Sequence, residues 1–206
     1  MKLALLGLSV LFHPTDTFMA VKRHRGKSLV LQSVLLIALL LVARLVYILL
    51  LHYPVSGFDL RSKNLFLECA VHVGVILSVA LANWNVTEIL DGEVFFRESL
   101  FGTALSAMPM TVLYIPIALI SNIMGQSEAA FLNIFTAVMW GWTIFLLVRG
   151  IMVMNNYSFP KTLLICLISL VYIAILWCCV LMLVVFTKNL WQFIEGLFVE
   201  ITVSLS

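Results

Sequence analysis

Five long apolar runs constrain this chain more than any other feature of its sequence. They lie at about 28–51, 65–84, 100–123, 131–152 and 162–186. A helix needs roughly 20 mainly apolar residues to cross the hydrocarbon core of a bilayer, and each run meets that length. Backbone groups inside lipid must find their hydrogen bonds within the segment, so such runs fold as helices. Five crossings take up about half of the 206 residues, which leaves short loops and no room for a soluble catalytic domain. The expected fold class is all-α: a polytopic membrane protein with five transmembrane helices. Composition agrees, with 63% hydrophobic and 11% charged residues, against about 45–50% and about 25% in soluble domains.

Three segments are expected along the chain. Residues 1–27 read as an interfacial, amphipathic N-terminal segment, 28–186 as the transmembrane domain, and 187–206 as an amphipathic C-terminal helix. The first twelve residues carry one Lys and an apolar stretch. No small-x-small cleavage pattern precedes His13-Pro14-Thr15-Asp16, so the stretch is read as retained rather than removed. Pro14 and Asp16 suit the first turn of a helix that carries Phe18, Met19 and Val21 and ends in Lys22, Arg23, His24, Arg25 and Lys27. Such a basic cluster anchors topology and faces membrane lipids. The tail spaces Leu190, Phe193, Ile194, Leu197, Phe198 and Ile201 by threes and fours. That period predicts a helix lying on the membrane surface or extending the fifth span. Trp191, Glu195 and Glu200 form its candidate partner surface.

Lys and Arg collect on the cytoplasmic side of membrane proteins. Placing the N-terminus inside assigns eight of them to the cytoplasm: Lys2, Lys22, Arg23, Arg25, Lys27, Arg97, Arg149 and Lys161. Three fall outside, namely Arg61, Lys63 and Lys188, and Arg44 lies within the first span. The expected topology in the cell membrane is N-terminus cytoplasmic and C-terminus extracellular.

The remaining residues argue against several function classes. A net charge of +2 without a long basic stripe gives no support to nucleic-acid binding. The four cysteines, Cys69, Cys166, Cys178 and Cys179, lack C-x-x-C spacing and lie in apolar stretches, so they read as small core residues. No nucleophile sits in register with a base, and no Gly-rich phosphate loop, H-E-x-x-H or G-x-S-x-G occurs. We expect no catalytic residue, no cofactor and no metal site.

Ionisable groups inside a span are costly and default to a functional reading. Arg44 near the end of span one and Glu68 near the start of span two lie about 10 Å and about 5 Å below the same surface. His72 shares a helix face with Glu68 four residues earlier. The three form an intramembrane polar cluster, read as a structural pair or as part of a transport path. A second group, Asn83, Trp84, Asp91, Gly92 and Glu93, makes a cytoplasmic elbow with a tight turn at Asp91-Gly92. Its carboxylates lack the D-x-D-x-D-G order of a calcium loop. Pro109 and Pro116, seven residues apart on nearly one face, predict a kinked third span.

The segment from His13-Pro14 to Phe18, the elbow from Asn83-Trp84 to Leu90-Asp91-Gly92-Glu93, and the two-proline third span in a five-span, N-in and C-out chain together resemble bacterial members of the Ypt-interacting-protein (YIP-one) five-span membrane family. The resemblance covers nearly the whole chain. It implies a non-enzymatic scaffold or accessory subunit of the bacterial inner membrane. It also implies a membrane-protein partner, with permease subunits of a sugar-transporting ABC importer as the candidate. The competing reading is a small transporter or channel that uses Arg44, Glu68 and His72.

Overall fold

Each apolar run is helical in the computed structural model, which describes residues 3–23, 28–51, 64–124 and 128–204. His24, Arg25 and Lys27, the turn at 54–57 with Asp59, Arg61 and Lys63, and the loop at 125–127 lie outside the described residues. So do the side chains of residues 3–6, 129 and 197–204, Glu200 among them.

The helices are α1 (Leu3–Phe12), α2 (Pro14–Arg23), α3 (Ser28–Leu50), α4 (Leu65–Ile89), α5 (Phe96–Ser106), α6 (Met108–Ser121), α7 (Ala129–Met154) and α8 (Phe159–Ser204). No strand occurs among the described residues. Five stretches are long and apolar enough to cross a membrane: Ser28–Leu50, Leu65–Ile89, Phe96–Ser121, Ala130–Met154 and Phe159–Gly196. The protein is all-α and polytopic.

Local chemistry sets the helix boundaries. Asn64 caps α4, its side-chain oxygen accepting the N–H groups of Phe66 at 3.0 Å and Leu67 at 3.3 Å. In α2, Pro14 and Asp16 occupy the first turn, and Lys22 and Arg23 the last, matching both ends of the helix dipole. The third span is two helices. Pro109 has no N–H to give the Leu105 carbonyl, so α5 ends at Ser106 and α6 restarts after Ala107 (φ −82°, ψ 2°). The proline then sits in a first turn, where a missing donor costs nothing. Pro116 lies inside α6 without ending it, and the two prolines differ in setting: Pro109 is buried and Pro116 exposed.

The chain divides into two units, Met1–Ser169 and Leu170–Ser206. In the first, the third span is the centre, and every residue from 98 to 111 is buried. Helix α5 packs against α3, α4 and α7, and α6 against α3 and α7. The outward faces of α3, α4 and α7 expose Leu31, Val42, Leu67, Phe131 and Val138. Against lipid tails that exposure carries no penalty. The second unit is helical through Ser204.

The segment 1–27 contributes two helices, both packed against the rest of the first unit. Helix α1 packs against α2 and α6. Gly7 lies so close to Met108 that an added Cβ would meet its methyl carbon at 2.6 Å. Met108 is in the middle of the third span, so α1 packs against that span, and apart from Gly7 and Ser9 its residues are wholly apolar. Helix α2 turns Phe18 and Val21 into the protein and packs against α7.

Candidate functional site

Helices α4 and α7 end side by side, and each ends in the same way. The N–H of Gly92 reaches back to the Thr87 carbonyl at 2.7 Å, and that of Tyr157 reaches the Met152 carbonyl at 3.0 Å. In both turns a polar residue takes the left-handed conformation, Asp91 at φ 58° and Asn156 at φ 55°. These are Schellman-type caps, which satisfy carbonyls that a helix C-terminus leaves free. The left-handed residue of the elbow is therefore Asp91. Gly92 is needed for space, since an added Cβ would lie 2.7 Å from the Thr87 carbonyl oxygen and 2.9 Å from Asn155 Oδ1.

The two caps are bonded to each other. Glu93 N–H donates to Asn155 Oδ1 at 3.2 Å, and Asn156 Nδ2 donates to the Glu93 carboxylate at 3.2 Å. Tyr157 O–H donates to the carbonyls of Leu90 at 3.0 Å and Thr87 at 3.4 Å. Two helix C-termini and two carboxylates make this end of the bundle electronegative, and cations from other elements answer it. Lys22 at the end of α2 pairs with Glu93 at 2.7 Å, and Lys161 Nζ lies 4.3 Å from the centre of the Tyr157 ring. Burial holds the Tyr157 phenol above its ordinary value of 10.0, and the Asp91 and Glu93 carboxylates push it the same way.

Helix α2 is strapped to this end at three points. Phe18 is fully buried against Gly150 of α7, where an added Cβ would meet the ring at 2.9 Å. Arg149 donates to the Thr15 hydroxyl at 2.8 Å. Lys22 closes the strap on Glu93.

At the other end of the spans, Arg44 Nη2 and Glu68 Oε2 are 3.5 Å apart, with His72 Nδ1 at 2.9 Å from the Glu68 carbonyl and 3.9 Å from its carboxylate. The Arg44 guanidinium also lies 5.3 Å from the Tyr47 ring centre and 5.4 Å from that of Tyr114. The structure thus brings Arg44, Glu68 and His72 together and adds two tyrosines that spacing alone does not show. Among the described residues no three His, Cys, Asp or Glu side chains are grouped to hold a metal ion.

Of the elbow residues, Asp91, Gly92 and Glu93 join the double cap. Trp84 instead meets Phe96 edge-on, with ring centres 5.6 Å apart, and Asn83 is buried deeper in α4. Trp191 donates to Glu195 at 2.5 Å within the second unit. Lys22, Asn155, Asn156 and Tyr157 belong to the site although their sequence positions suggest only an anchor and a loop. The one local sign is the paired Asn after a span, a common choice for a left-handed cap.

No curated protein and no solved structure matches this chain. The family model of the Yip1 domain matches residues 8–184, which takes in all but the first residues of α1, the double cap and the polar cluster. By that match the chain belongs to the Yip1 family of membrane proteins.

Proposed function

We propose that this protein is a non-enzymatic accessory or scaffold subunit of the bacterial inner membrane, with its N-terminus in the cytoplasm and its C-terminus outside. It binds another membrane complex, and the permease of a carbohydrate ABC importer is the first partner to test. One observation carries this reading: the unequal burial of the spans. Within Phe96–Ser121 the membrane-length window is 67% buried, but within Ala130–Met154 only 17%. Helix α7 thus exposes Phe131, Phe135, Val138, Trp142 and Phe145 in one stripe at spacings of four and three. Gly141 lies on that face with open space in front of it. A stripe of large side chains beside a small residue suits close packing of another transmembrane helix. The eight-to-three distribution of cations supports the orientation.

Cross-linking the full chain in native membranes and purifying it in mild detergent tests the proposal. A membrane-protein partner should be recovered with it, and Gly141→Leu should lower that recovery several-fold while leaving thermal stability unchanged. Recovery as a lone monomer under both conditions overturns it. The second reading, a small transporter or channel, rests on the placement of Arg44, Glu68 and His72 inside the spans. It requires a flux across reconstituted vesicles that Glu68→Gln abolishes.

A further inference from the structure

Beneath the double cap, between α4, α5 and α7, lies a cavity of about 20 Å³. Six polar side chains line it: Asn83 and Thr87 from α4, Ser99, Thr103 and Ser106 from α5, and Asn155 at the end of α7. Four of them bond within the protein. Thr87 donates to the Trp84 carbonyl at 3.1 Å, Ser99 to that of Ala80 at 2.9 Å, Ser106 to that of Gly102 at 2.8 Å, and Asn155 to that of Ile151 at 3.1 Å. Asn83 and Thr103 are different. They are only 6% and 8% exposed as residues, and their side chains line the cavity with no hydrogen bond to another described residue, their polar atoms keeping some accessible surface there. A hydrogen-bonding ligand in the cavity would satisfy this amide and hydroxyl, which lie beside lipid and away from bulk water.

Asn83 lies six residues before the end of α4 and Thr103 seven after the start of α5, so both sit about 10 Å inside the spans from the capped end. We propose that this cavity is a hydration site for one ordered water, which bridges Asn83 and Thr103 and joins α4 to α5 beside α7. Size supports this, since one water needs about 10–15 Å³ of such space. A lipid headgroup is too large. Chemistry supports it as well: the lining carries no carboxylate and no cation, so it suits a neutral ligand. Water can donate a hydrogen bond to the Asn83 carbonyl oxygen and accept one from its NH2 or from the Thr103 hydroxyl. The oxygens of Thr87 and Ser106 keep spare lone pairs for a third bond.

Pulsed X-ray hydroxyl labelling of the full chain in lipid nanodiscs, read by mass spectrometry, tests the site. Met154 lines the cavity and is 4% exposed, while Met139 on the same helix is 1% exposed and does not line it. A water bound in the cavity makes radicals beside Met154, so Met154 should be oxidised several-fold faster than Met139. In a jump into H2 18O, its uptake of the heavy isotope should lag behind that of a free methionyl peptide in the same tube. Thr103→Val, which keeps the shape and removes the hydroxyl, should bring Met154 down towards the Met139 rate. Equal rates for the two methionines in the unmodified protein mean a dry cavity and overturn the proposal. Isotope uptake without a lag means bulk solvent, and labelling that changes when sodium is replaced by choline means a bound cation; either result overturns it too.

Discussion

Gly92 shows how tightly the elbow is set. Gly92→Ala drives a Cβ onto the Thr87 carbonyl, a backbone atom that cannot swing aside, and onto Asn155. One cap must open, at a cost of about 1–3 kcal/mol, seen as a lower thermal midpoint in detergent. Gly141→Ala, with open space in front of it, should leave that midpoint unchanged or raise it, since alanine is the better helix former. Tyr157 gives a pH signature. Its phenol is held above 10.0 in the folded state, first by burial and then by the Asp91 and Glu93 carboxylates. The folded protein therefore keeps this proton more tightly than the unfolded chain does. The resulting stability is complete below pH 10 and is lost as pH rises through the higher folded value. Tyr157→Phe should cost about 0.5–1.5 kcal/mol at neutral pH and flatten the loss of stability above pH 10. Asp91-Gly92 was legible as a turn, because both residues tolerate tight geometry. Which of them takes the left-handed conformation was not, since that depends on Asn155 more than sixty residues away.

Among the elements, the third span and α2 stand at opposite ends of legibility. Pro109 announces a break by its chemistry alone, and the helix does stop three residues before it, at Ser106. Pro116 carries the same chemistry and does not end its helix. Helix α2 could be outlined from Pro14, Asp16 and the basic residues at its end, because those signals are local. Its position could not, since Phe18 fits equally well against lipid or against a groove, and the groove exists only because Gly150 on α7 has no side chain. Phe18→Ala should weaken α2 docking by about 3–5 kcal/mol. Trypsin would then cleave after Lys22 and Arg23 faster than in the unmodified protein, and Gly150→Leu should do the same from the other side. A cleavage rate unchanged in both variants would show that Phe18 does not hold the strap.

At the scale of the whole molecule, topology is the property to test. The double cap, Lys22 and Lys161 share one end of the spans, and Ile123 lies at the other, 87% exposed. With the four native cysteines replaced by alanine, Ser158→Cys should react with an impermeant maleimide only in inside-out vesicles, and Ile123→Cys only in right-side-out ones. The reverse pattern would invert the proposed orientation. The sequence by itself determined the solvent and the class of fold. Runs of apolar residues long enough to cross a bilayer can satisfy their backbones only as helices, so number, length and approximate boundaries follow from a one-dimensional pattern. The tertiary structure decided which faces meet. It buried the third span, packed α1 against it, strapped α2 to α7, and joined two helix ends through Glu93, Asn155 and Tyr157. In lipid every apolar face is equally content with tails or with protein, so hydrophobic patterning carries no partner information. Close approach at glycines and hydrogen bonds between distant turns supply it, and both exist only once the helices have packed.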